Sequence, residues 1–144
     1  MKKLLLILLL IVGCEESTTE SSVDPLVGIW EGVEITSVGN GTTIIISLGE
    51  NTQFGSVTWI LGSDGVASVT STDSDGTEET DNGIWSATGN KLTIIKEAKT
   101  YIDDNITINY EEETTIYDFS LNGDILEIFE LEDGVETTLK FERK

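Results

Sequence analysis

The 144-residue chain contains no histidine and one cysteine, Cys14, against 27 acidic residues. Without imidazole, Ser-His-Asp and Cys-His nucleophilic catalysis are excluded, and histidine metal sites with them. One thiol and a surplus of carboxylates remain. A pair of carboxylates can cleave a glycosidic bond by acid–base chemistry. With 27 acids on so small a chain, however, some pair lies close by chance, so proximity alone marks no catalytic site. The residues read as those of a non-enzymatic protein with no cofactor and no metal.

The acids fail as a calcium loop as well. Asp73-Ser74-Asp75-Gly76-Thr77-Glu78-Glu79-Thr80-Asp81 places five carboxylates in nine residues and starts like an EF-hand loop. Its fifth position is Thr77 and its twelfth Ile84, where that pattern needs an oxygen ligand. A solvated hairpin tip is the better reading.

The thiol has a more specific setting. Met1-Lys2-Lys3 is a positive start, and residues 4–12 form an apolar run of nine, too short to span a bilayer. Ile11-Val12-Gly13-Cys14 resembles a bacterial lipobox, with a plain secretory signal as the alternative. The lipobox implies that residues 1–13 are a lipoprotein signal peptide, cleaved before an acylated Cys14. Each buried methylene of an acyl chain contributes about 0.8 kcal/mol, so more than one chain anchors stably. The protein would then be a lipid-anchored, palmitate-bearing lipoprotein of the cell envelope that does not span the membrane. Glu15 stands where an inner-membrane retention signal would resemble an aspartate, which favours the outer membrane. The choice between periplasmic and surface face stays open. Residues 14–25 are polar and acidic, cannot repay the entropy of ordering, and read as a tether ended by Pro25.

Residues 26–144 are left for one folded domain. Removing Lys2 and Lys3 changes the charge from 8 − 27 = −19 to 6 − 27 = −21. Such a domain repels phosphate backbones, so nucleic acid is excluded and a charged partner must be a cation or a basic protein. Short apolar runs alternate with turn signals throughout, the mark of an all-β barrel or sandwich. The pattern predicts strands over 27–36, 42–48, 54–61, 66–72, 83–87, 91–96, 106–121, 124–131 and 135–142, with a bend or break in the long one near Glu111-Glu112-Glu113. Three hairpins fix registers. Asp133-Gly134 sets Ile128 against Leu139 and Leu126 against Phe141, and Gly89-Asn90 sets Trp85 against Ile94. Asn122-Gly123 sets Phe119 against Leu126 and Tyr117 against Ile128. All three put one apolar face inside. The expected fold is an antiparallel up-and-down β-barrel of eight to ten strands, with a two-sheet β-sandwich as the alternative.

Core packing accounts for Trp59 and Trp85. Trp30 is more specific, because Arg143, the only arginine, shares the inward parity of Leu139 and Phe141 on the last strand and faces Asp124. Leu26-Val27-Gly28-Ile29-Trp30, the second copy Gly83-Ile84-Trp85 with its following hairpin, and a terminal strand carrying Arg143 resemble the lipocalin-like lipoproteins of Gram-negative bacteria, with a calycin-like barrel. The resemblance implies that Trp30 and Arg143 form the closing pair of the barrel.

Continuing the C-terminal registers beyond the apolar rows gives a polar inward row of Thr115, Glu130 and Thr137. An ionised carboxylate cannot sit in a dry core alone, so Glu130 marks either a solvated rim or a ligand site. In the second case Glu130, Thr115 and Thr137 orient the polar head of a small apolar or amphipathic ligand lying against Trp85, Tyr117 and Ile128. The competing function is a packed-core interaction or inhibitor protein that binds a protein partner through loops and acidic surface. The anchor gives the first test. Cys14→Ala is expected to abolish acylation, read by intact mass and detergent partitioning, and an acylated variant that still enters detergent would remove the lipobox reading.

Overall fold

The computed structural model describes residues 24–49, 52–103 and 106–144. The signal-peptide segment, Cys14 and the tether up to residue 23 lie outside the described residues. In chain order the strands are β1 (Gly28–Gly39), β2 (Thr42–Ser47), β3 (Ser56–Leu61), β4 (Val66–Thr72), β5 (Glu78–Thr88), β6 (Lys91–Lys96), β7 (Lys99–Asp103), β8 (Ile106–Tyr110), β9 (Glu113–Asn122), β10 (Ile125–Glu132) and β11 (Val135–Arg143). All pairings are antiparallel. Strands β3, β4, β5, β6, β9, β10 and β11 follow one another around a wall that β1 closes by pairing with β3 on one edge and β11 on the other. This is an eight-strand barrel, not a two-sheet sandwich.

Turn chemistry sets the hairpins. Asn40-Gly41 and Asp133-Gly134 each hold both turn residues at positive φ, 49° and 75° in the first and 50° and 78° in the second. That is the two-residue turn whose twist matches the flanking strands. The β5–β6 and β10–β11 registers are those expected, with Trp85 opposite Ile94 and Leu126 opposite Phe141.

The β9–β10 register differs. Asn122 pairs with Ile125, so the turn residues are Gly123 and Asp124, and Phe119 lies opposite Ile128, not Leu126. Asp124 is kept out of the strand because its carbonyl accepts the Arg143 backbone N–H at 2.9 Å and its carboxylate takes the Arg143 side chain at 3.1 Å. The slip is two residues, so the same side chains still face inward.

Three boundaries also differ. The 106–121 segment divides into β8 and β9 around Glu111-Glu112. Strand β5 begins at Glu78, five residues ahead of Gly83, because Glu78–Asp81 pair with the end of β4 at the exposed hairpin. Strand β7 carries no clear apolar alternation and, among the described residues, pairs only with β8, the two forming an arm between β6 and β9.

The core is Leu26, Trp30, Trp59, Leu61, Ala67, Leu92, Ile94, Leu126, Ile128 and Phe141, drawn from nearly every barrel strand. Burying each large side chain contributes about 1.5–3 kcal/mol. Aromatic rings span the interior: Trp59 lies 5.0 Å from Phe141 and 5.7 Å from Tyr117, centroid to centroid. Packing is tight at Gly32, where a Cβ would overlap Val57 and stand 3.1 Å from Leu48. Gly32→Val is therefore expected to destabilise the fold by about 1–3 kcal/mol through overpacking. Val57→Ala in the same chain should recover part of that loss in denaturant titrations. Equal losses in both backgrounds would show slack at this position.

Candidate functional site

The two barrel ends are built differently. At the closed end, Asp24 starts a tight turn in which its carbonyl accepts the Val27 N–H at 2.9 Å and its carboxylate the Leu26 N–H, also at 2.9 Å. The Trp30 indole donates to the Leu26 carbonyl at 2.8 Å, which folds the turn under the barrel. Arg143 lies over the Trp30 ring with its guanidinium carbon 4.2 Å from the centroid. It also donates to the carbonyls of Val27 at 2.7 Å and Pro25 at 2.6 Å and to Asp124. Gly28 makes the stacking feasible, because a Cβ there would overlap the Arg143 guanidinium and its φ of 155° disfavours other residues. The second glycine-x-tryptophan pair also serves this end. The Trp85 indole donates to the Gly62 carbonyl at 2.9 Å, and the Trp85 backbone N–H to the Gly65 carbonyl at 2.8 Å.

The opposite end is polar. A bulge at Val33 resets the alternation of β1, so Ile35 and Ser37 face Leu139 and Thr137. The Ser37 and Thr137 hydroxyls are 3.2 Å apart, and Glu130 pairs with Thr137 from β10. Below this collar lie the half-buried Ile35, Tyr117 and Leu139. Burial pushes the Tyr117 hydroxyl pKa up, the Glu130 charge adds to this, and a hydrogen bond with Thr115 opposes it.

The expected ligand row is thus regrouped. Thr137, Glu130, Tyr117 and Thr115 do gather at the open end, but the two-residue slip sets Glu130 beside the Tyr117 level and not opposite Thr115. Ile128 is fully buried in the core, and Trp85 is tied to the β3–β4 connection at the closed end, so neither lines the mouth.

Sequence reasoning missed Ser37, whose inward position follows only from the bulge. It also missed a charge cluster on the β5–β6–β9 side of the mouth. There Asp81 takes both lysines, Lys99 in a very short contact and Lys96 at 3.4 Å, while Lys99 also reaches Glu79 at 2.9 Å. The hydrogen bond from Lys99 holds the Asp81 carboxyl below its ordinary range against the opposing effect of burial. The pairing of Lys96 with Gly83 was readable from the β5–β6 register; its pairing with Glu113 across β6–β9 was not, nor was Lys99, because β7 was not foreseen. A cleft of about 400 Å³ opens beside these lysines towards Tyr110, Glu111 and Glu112. At the Asp73–Thr77 turn, Asp75 accepts the Thr77 N–H at 2.8 Å, which lowers its pKa.

The architecture is shared with known structures. The crystal structure of a lipocalin-like protein from Bacteroides uniformis ATCC 8492 matches with a TM-score of 0.57 at 20% identity, over 84% of this chain and 100% of that one. An uncharacterized protein from Bacteroides eggerthii DSM 20697 matches with a TM-score of 0.51 at 11% identity, over 82% and 98% of the two chains. No family model and no curated protein matches. The fold is therefore that of a lipocalin-like β-barrel.

The closed end carries a test of its own. A desolvated cation–π contact contributes about 2 kcal/mol, an exposed one about 0.5–1. A double-mutant cycle on Trp30→Leu and Arg143→Met is expected to show coupling above about 0.5 kcal/mol in unfolding free energy. Additive losses would reduce Arg143 to a surface residue.

Proposed function

We propose that this protein is a lipid-anchored, non-enzymatic binding module of the cell envelope, held at the outer membrane through acylated Cys14, that takes a small amphipathic ligand at the open end of its barrel. The reading rests chiefly on the collar of Ser37, Thr137 and Glu130 above half-buried Ile35, Tyr117 and Leu139. Polar groups above an apolar wall are what orients a molecule with a head and a tail. Because the head would meet the Glu130 carboxylate, a hydroxyl or a cationic group suits it and a carboxylate does not. Tyr117 and Thr115 complete the polar side, and Ile128 and Trp85 support the wall from below.

A second reading is favoured by one observation. The Trp59, Phe141 and Tyr117 rings already span the interior, as in an interaction or inhibitor protein that uses its exterior to bind a protein partner.

Fluorescence of N-phenyl-1-naphthylamine, a neutral apolar probe, separates the two. Binding by the wild-type protein and displacement by dodecylamine are expected. Glu130→Leu should weaken the amine at least about tenfold, because a charge-assisted contact is lost, while leaving the naphthylamine and the folding stability unchanged or improved. If the wild-type protein does not bind the probe at all, the interaction reading replaces this one.

A further inference from the structure

Strand β2 stands apart from the rest of the sheet. It pairs with the outer half of β1, and among the described residues nothing pairs with its other edge. The β1–β2 register determines which groups that leaves free. Gly39 and Thr42 flank the two-residue Asn40-Gly41 turn and form a hydrogen-bonded pair, so Ser37–Ile44 and Ile35–Ile46 are hydrogen-bonded pairs too. The Leu48 N–H bond to the Val33 carbonyl at 3.0 Å continues the same alternation. The N–H and C=O groups of Thr43, Ile45 and Ser47 therefore point outward. Ile44 and Ile45 are 56% and 62% exposed, so this edge is open to a partner.

Natural sheets guard such edges with lysine, proline, bulges or inward charges. Thr42-Thr43-Ile44-Ile45-Ile46-Ser47 has none of these. The omission is local. From Ile35 to Ser63 the only charged residue is Glu50, in a chain of net charge −19. An acidic molecule meeting another copy of itself is repelled over most of its surface, and β2 lies in the stretch where that repulsion is least.

We propose that β2 is a self-association edge, where two copies of this chain pair β2 to β2 antiparallel about a two-fold axis at Ile45. The free groups are self-complementary in that arrangement. Ile45 meets Ile45 of the second copy, and Thr43 meets Ser47 in both directions, so each outward N–H and C=O finds a partner. A β-branched, uncharged pair at the centre is favourable in cross-strand pairing, and the symmetric pairing closes after two copies. A strand-sized contact lies at the small end of specific interfaces, so the association is a reversible one.

The test is sedimentation velocity of the full chain in non-ionic detergent over a hundredfold concentration range. The wild-type chain is expected to show a monomer–dimer equilibrium that tightens with added salt, because salt screens the repulsion between the two acidic bodies. Ile45→Lys should raise the dissociation constant at least about tenfold, since it sets two like charges face to face. Ile60→Lys, on an outward site of β3 away from this edge, should leave it unchanged. Ile45→Cys should be cross-linked to a dimer by a short bismaleimide where Ile60→Cys is not, a readout that needs no loss of binding. A wild-type chain that is monomeric throughout would overturn the proposal, as would a dimer indifferent to Ile45→Lys, one that weakens with salt, or a foreign peptide strand recovered on β2 of a monomeric chain.

Discussion

One guanidinium gathers the contacts of the barrel's closed end. Arg143 is the last residue of β11 and stacks on the Trp30 ring of β1 while donating to the Val27 and Pro25 carbonyls and to Asp124. Its side chain thereby ties the floor turn and the β9–β10 turn to the backbone-paired seam between β1 and β11. The charge is tolerated because the carbonyls and the carboxylate replace water around it, and the ring face adds a cation–π term. Gly28 is part of the same device, since any side chain there would occupy the guanidinium's place.

A sealed end makes the other end the one that can vary. Strand β1 serves both. Its first residues pair with β3 and carry Trp30, and beyond the Val33 bulge it pairs with β2 and brings Ile35 and Ser37 to the open end. A bulge is the device that re-aims side chains without ending a strand. One element thus changes from supporting a dry floor to supporting a wet collar. The charge cluster of Asp81, Lys96 and Lys99 lies at the same end, where solvent keeps its cost low.

Much of this was legible in the sequence, and for definite reasons. Period-two alternation bounded by glycine and asparagine turns is a strong signal, and it placed Leu126, Ile128, Leu139 and Phe141 on one face correctly. Phe119 and Tyr117 also faced inward as expected, although their partners were two residues off, because alternation cannot distinguish registers that differ by a full period. The turn was misplaced because Asn-Gly is the stronger local signal, and its displacement to Gly123-Asp124 goes with the bonds between Asp124 and Arg143, which only the folded barrel brings together. Glu130 and Thr137 were readable from the Asp133-Gly134 hairpin alone. Ser37 was not, because an inserted residue leaves no mark in the hydrophobic pattern. Trp85 lies opposite Ile94 as expected, and its depth along the barrel follows from the bond of its indole to Gly62, which holds it near the floor and which no alternation pattern carries.

The seam has a consequence for how the molecule comes into being. The Arg143 side chain bonds a carbonyl 116 residues earlier in the chain, and the strands that meet there are the first and the last. Contacts so distant along the chain carry the full entropy of loop closure and form late, so folding of this topology is slow compared with that of a helical bundle of equal size. Until β11 is in place, β1 and β10 each present a bare edge. The chain is thus held in an incomplete state for as long as its C-terminal strand is missing, as it is during synthesis, and the nine residues of β11 act as the latch that ends that state.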